Sequence, residues 1–165
     1  MTEVLRPGLL EGVRVAVAGA GVLGSAVAAR ASALGANVDP GGEEADVLVW
    51  DGAAAFAAAS GVEAVRAALD LGWEAIRGAV ADGQLIVLLA PPPGDAHAEA
   101  ARAGLENMAR TLSIEWARRG IRPVAIAPGA MTPAGEVAEL VAYLASAAGG
   151  YFSGCRFDLG RVPGS

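Results

Sequence analysis

Lysine is absent from this 165-residue chain, so all twelve basic side chains are arginine. That excludes a Schiff base, a lysine general base and a Walker-type phosphate lysine. The single His97 and single Cys155 cannot build a Cys/His zinc site within one chain. One cysteine also forbids an internal disulfide and fits a reducing compartment. Tyrosine is scarce, with only Tyr143 and Tyr151. No basic run exists, and a net charge of -6 argues against nucleic acid and anionic membrane surfaces as partners. No run approaches 18 strongly apolar residues, so no membrane span is expected. The opening MTEVLRPGLLEG carries an acid and lacks an apolar core, which does not read as a signal peptide. The expected setting is cytoplasmic.

Small residues fill the space these absences leave: 39 alanines and 23 glycines. The length suits one domain, over residues 1–161, with 162–165 as a tail. A chain of this size hides roughly 70% of its unfolded surface. Short β-branched runs alternate with longer helical patterns. Strands are expected at Val13–Ala18, Asp46–Asp51, Leu85–Leu89, Arg122–Ala127 and Cys155–Leu159. Helices are expected at Val22–Leu34, Val62–Ala81, Ala96–Arg119 and Glu136–Ser146. The second of these is striped by Val62, Val65, Leu69, Ile76 and Val80, and the third by Leu105, Met108, Leu112 and Trp116. Strands alternating with helices imply an α/β fold, a Rossmann-like open parallel sheet with helices on both faces. The fully apolar LIVLL belongs at its centre.

Gly19-Ala20-Gly21-Val22-Leu23-Gly24 fits G-x-G-x-x-G at the end of the first strand. The first glycine allows a tight turn, the second lets backbone approach a pyrophosphate, and the third lets the helix pack on the strand. In so glycine-rich a chain the bare pattern arises by chance about 0.4 times, so its context carries the argument. A tight strand-to-helix turn kept for packing is the competing reading. A ribose-binding acid should follow about 20 residues after the first glycine, which selects Asp39, with Glu43 and Glu44 as rivals.

The sequence resembles the short-chain dehydrogenase/reductase family over nearly its whole length. GLLEGVRVAVAGAGVLGSAVAARASALGANV is similar to the family's first strand, glycine loop and first helix, with the glycines displaced by one residue from T-G-x-x-x-G-x-G. DVLVWDGAAA resembles the D-x-L-V-N-N-A-G strand. LENMARTLSIEWARRGIRPVAIAPG resembles the fifth helix and the strand ending in Pro-Gly, and GEVAELVAYLASAAGGYFSGCRFDLG the C-terminal helix and last strand. The resemblance implies NAD(P) contacts at Gly19, Gly21, Val22, Leu23, Gly24, Asp39, Asp51, Pro128, Gly129 and Thr132.

The family's reaction set of Asn, Ser and Tyr-x-x-x-Lys does not carry over. Its positions fall on Asp70, Ala90 (followed by Pro91), Ala98 and Arg102. The chemistry needs an acidic hydroxyl to exchange the carbonyl proton and a nearby cation to lower its pKa. Alanine has no proton to give, and arginine would keep a cation with nothing to activate. The chain is also shortened. About seven residues separate Val38 from the next strand, where the family places two helices and a strand. Seven residues reach at most about 25 Å, and crossing back over a neighbouring strand takes about 20 Å. A bare loop fits and a helical crossover does not. A strand stub at 36–38, no third strand and no substrate lid after Pro128-Gly129 are therefore expected.

Other polar residues have plainer readings. Asp95 reads as a helix N-cap and His97 as an exposed helix-start residue, with proton transfer as its alternative. Cys155 reads as a packing thiol. Asp51 reads either as a functional carboxylate at a strand's carboxyl end or as part of an Asp-Gly turn. Along helix 96–119 a second face of small residues, Ala98, Ala101, Ala103, Gly104 and Ala109, suggests close approach by another helix, as in the family's dimer interface. The expectation is a short-chain dehydrogenase/reductase-like protein lacking the Ser/Tyr/Lys set. It would be a structural or regulatory subunit, a homo-oligomer or a hetero-oligomer with an active relative, holding no cofactor or NAD(P) weakly, and no metal. The alternatives are an NAD(P)-dependent oxidoreductase using Asp51, Asp70, His97 and Arg102 as substitutes, or a small-molecule or nucleotide binding module without chemistry.

Overall fold

The computed structural model describes residues 5–19, 21–39 and 44–160. The expected tail and the rival acid Glu43 lie outside them. Six strands form one sheet: β1 (Arg14–Ala18), β2 (Asn37–Val38), β3 (Val47–Asp51), β4 (Leu85–Leu89), β5 (Arg122–Ala127) and β6 (Arg156–Asp158). Their order is β2-β1-β3-β4-β5-β6, and every pair is parallel. Five α-helices connect them: α1 (Val22–Ala33), α2 (Gly52–Ala57), α3 (Gly61–Ala79), α4 (Ala96–Glu115) and α5 (Ala134–Ala145). The Rossmann-like α/β sheet expected from the strand and helix alternation is thus present.

Side chains of a strand alternate between the two sheet faces. In β4, Leu85, Val87 and Leu89 face the core under α1 and α5, while Ile86 and Leu88 face the core under α3 and α4. All five are fully buried. Burial of each such side chain contributes about 1.5–3 kcal/mol, and that is why an uninterrupted apolar run sits in the sheet's middle. Val47 and Val49 of β3 join the first core, and Leu48 and Trp50 the second. An Arg30–Glu139 ion pair at 2.7 Å ties α1 to α5.

Three features depart from expectation. Helix α2 follows β3 directly, where a turn was one of the readings of Asp51-Gly52. The stripe foreseen on α3 is only partly its buried face. Val62 is 63% exposed, and the sheet is met by Ala64, Ala68, Gly72 and Ile76. The cause is Trp50, whose indole fills the space beneath α3 and donates its Nε1 proton to the Ala68 carbonyl at 2.9 Å. A Cβ on Gly72 would lie 2.6 Å from that nitrogen. Third, the long helix stops at Glu115, continues as a 3-10 turn over Ala117–Arg119, and closes on Gly120 at φ 67°. β2 is indeed a two-residue stub, and among the described residues no further strand flanks it.

Candidate functional site

Strand β1 lies between β2 and β3, so chain connections leave it in opposite directions. Open α/β sheets bind ligands in the crevice at the carboxyl ends of the strands, where this reversal occurs. Here the crevice is built by Gly19, which ends β1, and Asp51, which ends β3. Gly19 takes φ 96°, and a Cβ there would stand 3.0 Å from the Asp51 Cβ. Gly21 and Gly24 have the same neighbour: added Cβ atoms would lie 2.6 and 3.0 Å from the Asp51 Oδ2. The close approach of Asp51, joined at Gly21 by the Ala54 side chain, therefore leaves little room for a side chain at any of the three.

That carboxylate is fully buried. The Gly24 N–H donates to its Oδ2 at 2.8 Å, and the Ala54 N–H donates to its Oδ1 at 3.0 Å. Asp51 thus joins the first turn of α1 to the start of α2, which it N-caps. Neither the functional-carboxylate nor the turn reading anticipated this clamp. The signal was present, since an aspartate before Gly-Ala-Ala is an N-cap pattern.

A cleft of about 510 Å³ opens above this point. Gly21, Val22 and Leu23 form one wall, Ala53, Ala54 and Ala57 the next, and Pro128, Gly129 and Thr132 the third. Seven of the sequence-predicted cofactor contacts (Gly21, Val22, Leu23, Asp51, Pro128, Gly129 and Thr132) therefore meet around one space. Gly19 and Gly24 lie beneath it as packing positions. Asp39 does not join them: it is exposed at the end of β2, its N–H donating to the Val15 carbonyl at 3.0 Å. A second hollow of about 360 Å³ shares Gly129, Ala130 and Thr132 and is closed by Glu136 and Leu159. The connection from β5 enters α5 at Ala134, so the short loop foreseen after Pro128-Gly129 is what forms.

The positions matched to the reaction set sit elsewhere. Ala90 is buried, and its amide donates to the Ile126 carbonyl at 2.9 Å. Ala98 is on the buried face of α4, and Asp70 is exposed on α3. Arg102 is only 6% exposed. Its Nη1 donates to the Pro91 carbonyl at 2.7 Å and to the Pro128 carbonyl at 2.8 Å, stitching the loops after β4 and β5 together. Glu99 and Asp158 stand 3.7 Å from its other nitrogens. Burial lowers its pKa from the usual arginine value, with the two acids opposing the shift. A guanidinium nevertheless stays charged at any working pH. No sequence pattern announces this clamp, because its partner carbonyls lie 11 and 26 residues away.

The plainer readings fare well. Asp95 accepts from the His97 and Ala98 amides at 3.0 and 2.9 Å, the geometry of an N-cap. The Ala98 amide is the main reason its carboxyl is held below the ordinary range. His97 is half-buried on the first turn of α4, less open than its helix-start position suggested, its Nδ1 3.6 Å from Asp95. Cys155 packs against the first core, and burial raises its thiol pKa. Tyr143 packs on Phe152 at 6.3 Å and Tyr151 is 94% exposed; neither lines the cleft. The small face on α4 is a correction. Ala98, Ala101 and Ala109 are buried within the chain itself, and Gly104 makes room for Leu69 of α3. Only Ala103 of that group faces outward.

The fold implies a dinucleotide, and the lining does not suit its pyrophosphate. No described residue of the cleft carries positive charge. The first-turn amide of Gly24 is already paired with the chain's own carboxylate. Among the described residues no group of three side chains suits a metal ion, and no helix is long and apolar enough to cross a membrane.

No protein-family model matches the chain. Solved structures do. It is similar to BdcA (YjgI) from E. coli, with TM-score 0.74 and 20% identity, over 92% of this chain and 100% of that one. It is similar to a short chain dehydrogenase from Mycobacterium smegmatis, with TM-score 0.68 and 22% identity, over 98% and 97%. It is also similar to the angucycline C-6 ketoreductase LanV, whose structure has bound NADP, with TM-score 0.72 and 16% identity, over 94% and 96%. These likenesses show that the chain has the Rossmann-like fold of the short-chain dehydrogenases/reductases.

Proposed function

We propose that this chain is a non-catalytic short-chain dehydrogenase/reductase-like subunit that pairs with itself or with an active relative. One observation carries the reading: the only cation at the matched position, Arg102, is fastened to two backbone carbonyls, with alanine one helical turn before it. Carbonyl reduction needs a proton donor within about 2.6–3.2 Å of the substrate oxygen. The described lining of the cleft offers no phenol, ammonium or imidazole for that task. The parallel sheet meanwhile persists, as a fold can while its site changes.

Pairing has its own support. Leu71 on α3 is 55% exposed and Ile114 on α4 is 78% exposed, and the Trp73 and Trp116 rings stack at 6.2 Å between the two helices. Large apolar side chains left open on neighbouring helices suit a partner helix pair. The test has two parts. The purified chain is incubated with NAD(H) or NADP(H) and a broad ketone and alcohol panel, and no turnover is expected. Light scattering then measures its mass, which should exceed one chain, and Ile114→Asp should return it to a monomer. Turnover above background would overturn the reading.

A second reading, an NAD(P)-dependent oxidoreductase with substitute groups, is favoured by the glycine turn meeting β3 at the switch point. Asp70 and His97 do not line that cleft, which counts against their use as substitutes.

A further inference from the structure

We infer that the cleft at the switch point takes a small, uncharged, largely apolar molecule and rejects the dinucleotide its fold suggests. The inference deepens the reading of a chain that moves no hydride, and rests on it only in treating the cleft as free of chemistry.

Volume comes first. About 510 Å³ lies within the range of small-molecule sites, roughly 300–1,000 Å³. Composition comes next. The walls are alanine, glycine, proline, valine and leucine, apart from Asp51 and Thr132. Both of those side chains are engaged inside the protein. The Thr132 hydroxyl donates to the Leu159 carbonyl at 2.8 Å and accepts from the Gly129 amide at 2.8 Å. Each Asp51 oxygen accepts a backbone amide. No lining side chain among the described residues is left to orient a polar ligand group.

Charge then selects against anions. An α-helix N-terminus offers the equivalent of about half a positive charge. At α1 that half-charge faces the full negative charge of Asp51, held at 2.8 Å from Gly24. A pyrophosphate placed on the glycine turn would meet a carboxylate beneath it and no arginine among the described lining residues. A cationic ligand is not favoured either, because Asp51 is fully buried and presents no oxygen to the cleft. What remains is burial of apolar surface, which needs no partner polarity.

The test uses the full chain and two matched fluorophores. N-phenyl-1-naphthylamine is uncharged, and 8-anilinonaphthalene-1-sulfonate has the same rings with a sulfonate added. The uncharged probe is expected to bind one site per chain, at least about tenfold more tightly than the sulfonate. NADH and NADPH, titrated by calorimetry, should show Kd weaker than about 1 mM. Ala57→Trp and Ala130→Trp place bulk on two exposed positions of opposite walls, so folding is spared. Each should weaken the uncharged probe at least about tenfold with the melting temperature unchanged. Equal or tighter sulfonate binding, a dinucleotide Kd below about 1 mM, or probe binding untouched by both variants would overturn the inference. Dinucleotide binding without turnover defeats this inference alone, whereas turnover defeats the non-catalytic reading as well.

Discussion

The two halves of the sheet each bury one charged group beside the cleft, and they bury opposite signs. In the β1–β3 half it is Asp51, whose two oxygens gather the N–H groups at the starts of α1 and α2. In the β4–β6 half it is Arg102, whose Nη1 gathers the carbonyls that end the β4 and β5 loops. Helix starts expose unpaired N–H donors and call for an anion, whereas strand-end loops expose carbonyls and call for a cation. The lesson is that both buried charges complete the backbone of their own half. A charge so engaged is poorly placed to serve a ligand, and this is why the cleft between the two halves is lined mainly by apolar side chains.

Breaking either clamp should show the largest effects. Asp51→Ala leaves the Gly24 and Ala54 amides without their charged acceptor, and hydrogen bonds to charged groups contribute about 1.5–3 kcal/mol each. A loss of about 3 kcal/mol is expected, lowering the melting temperature by about 6–12 °C for a domain of this size. Scanning calorimetry reads this directly, and a shift under about 2 °C would show that Asp51 is no clamp. Arg102→Ala should cost about 2–4 kcal/mol in urea unfolding, since it strands two carbonyls and empties a packed space. Arg102→Lys sharpens the comparison, because an ammonium lacks the planar fork and should recover only part of that loss. Full recovery would mean that charge alone, without the fork, holds the two loops.

Smaller effects separate packing from charge. Gly72→Ala drives a Cβ to 2.6 Å from the Trp50 Nε1 and should cost about 1–3 kcal/mol. A red-shifted tryptophan emission should accompany it if the indole is displaced. The smallest effect is a surface ion pair. Arg14 donates to Asp46 through Nε at 3.2 Å and Nη2 at 3.0 Å, and mainly for this reason the Asp46 carboxyl is held below the ordinary range. A depressed folded-state pKa gives stability that is present above the unfolded value near 4 and lost as pH falls through the folded value. Asp46→Asn should therefore flatten part of the stability decline below pH 4 and change neutral stability by no more than about 1 kcal/mol. An unchanged acid limb would remove Asp46 from the account.

Much of the framework was legible before any coordinates. LIVLL and RPVAIA become strands with the bounds their composition indicated, because apolar runs bounded by turn residues have few other solutions. The stub that residue count and distance place at 36–38 forms over Asn37–Val38. Helix α2 is not legible in the sequence, since GAAAFA shows no periodicity within an alanine-rich chain. The small-residue face on α4 is ambiguous for a related reason: small residues look alike whether a neighbour in the same chain or a partner covers them. In the event Leu69 covers Gly104.

Seven of the ten residues suspected of holding a cofactor converge on one cleft, a convergence that glycine spacing and strand ends already implied. Asp39 is not among the lining residues; it follows the two-residue β2, its N–H paired with the Val15 carbonyl. Composition and local pattern by themselves determined the parallel sheet, its short first edge and the lack of any lysine, because strand periodicity, reach and residue count are properties of neighbouring positions. Only the tertiary structure decided what Asp51 and Arg102 do. Their partners are backbone groups brought close by folding, and an amide or carbonyl looks the same in every residue of a sequence.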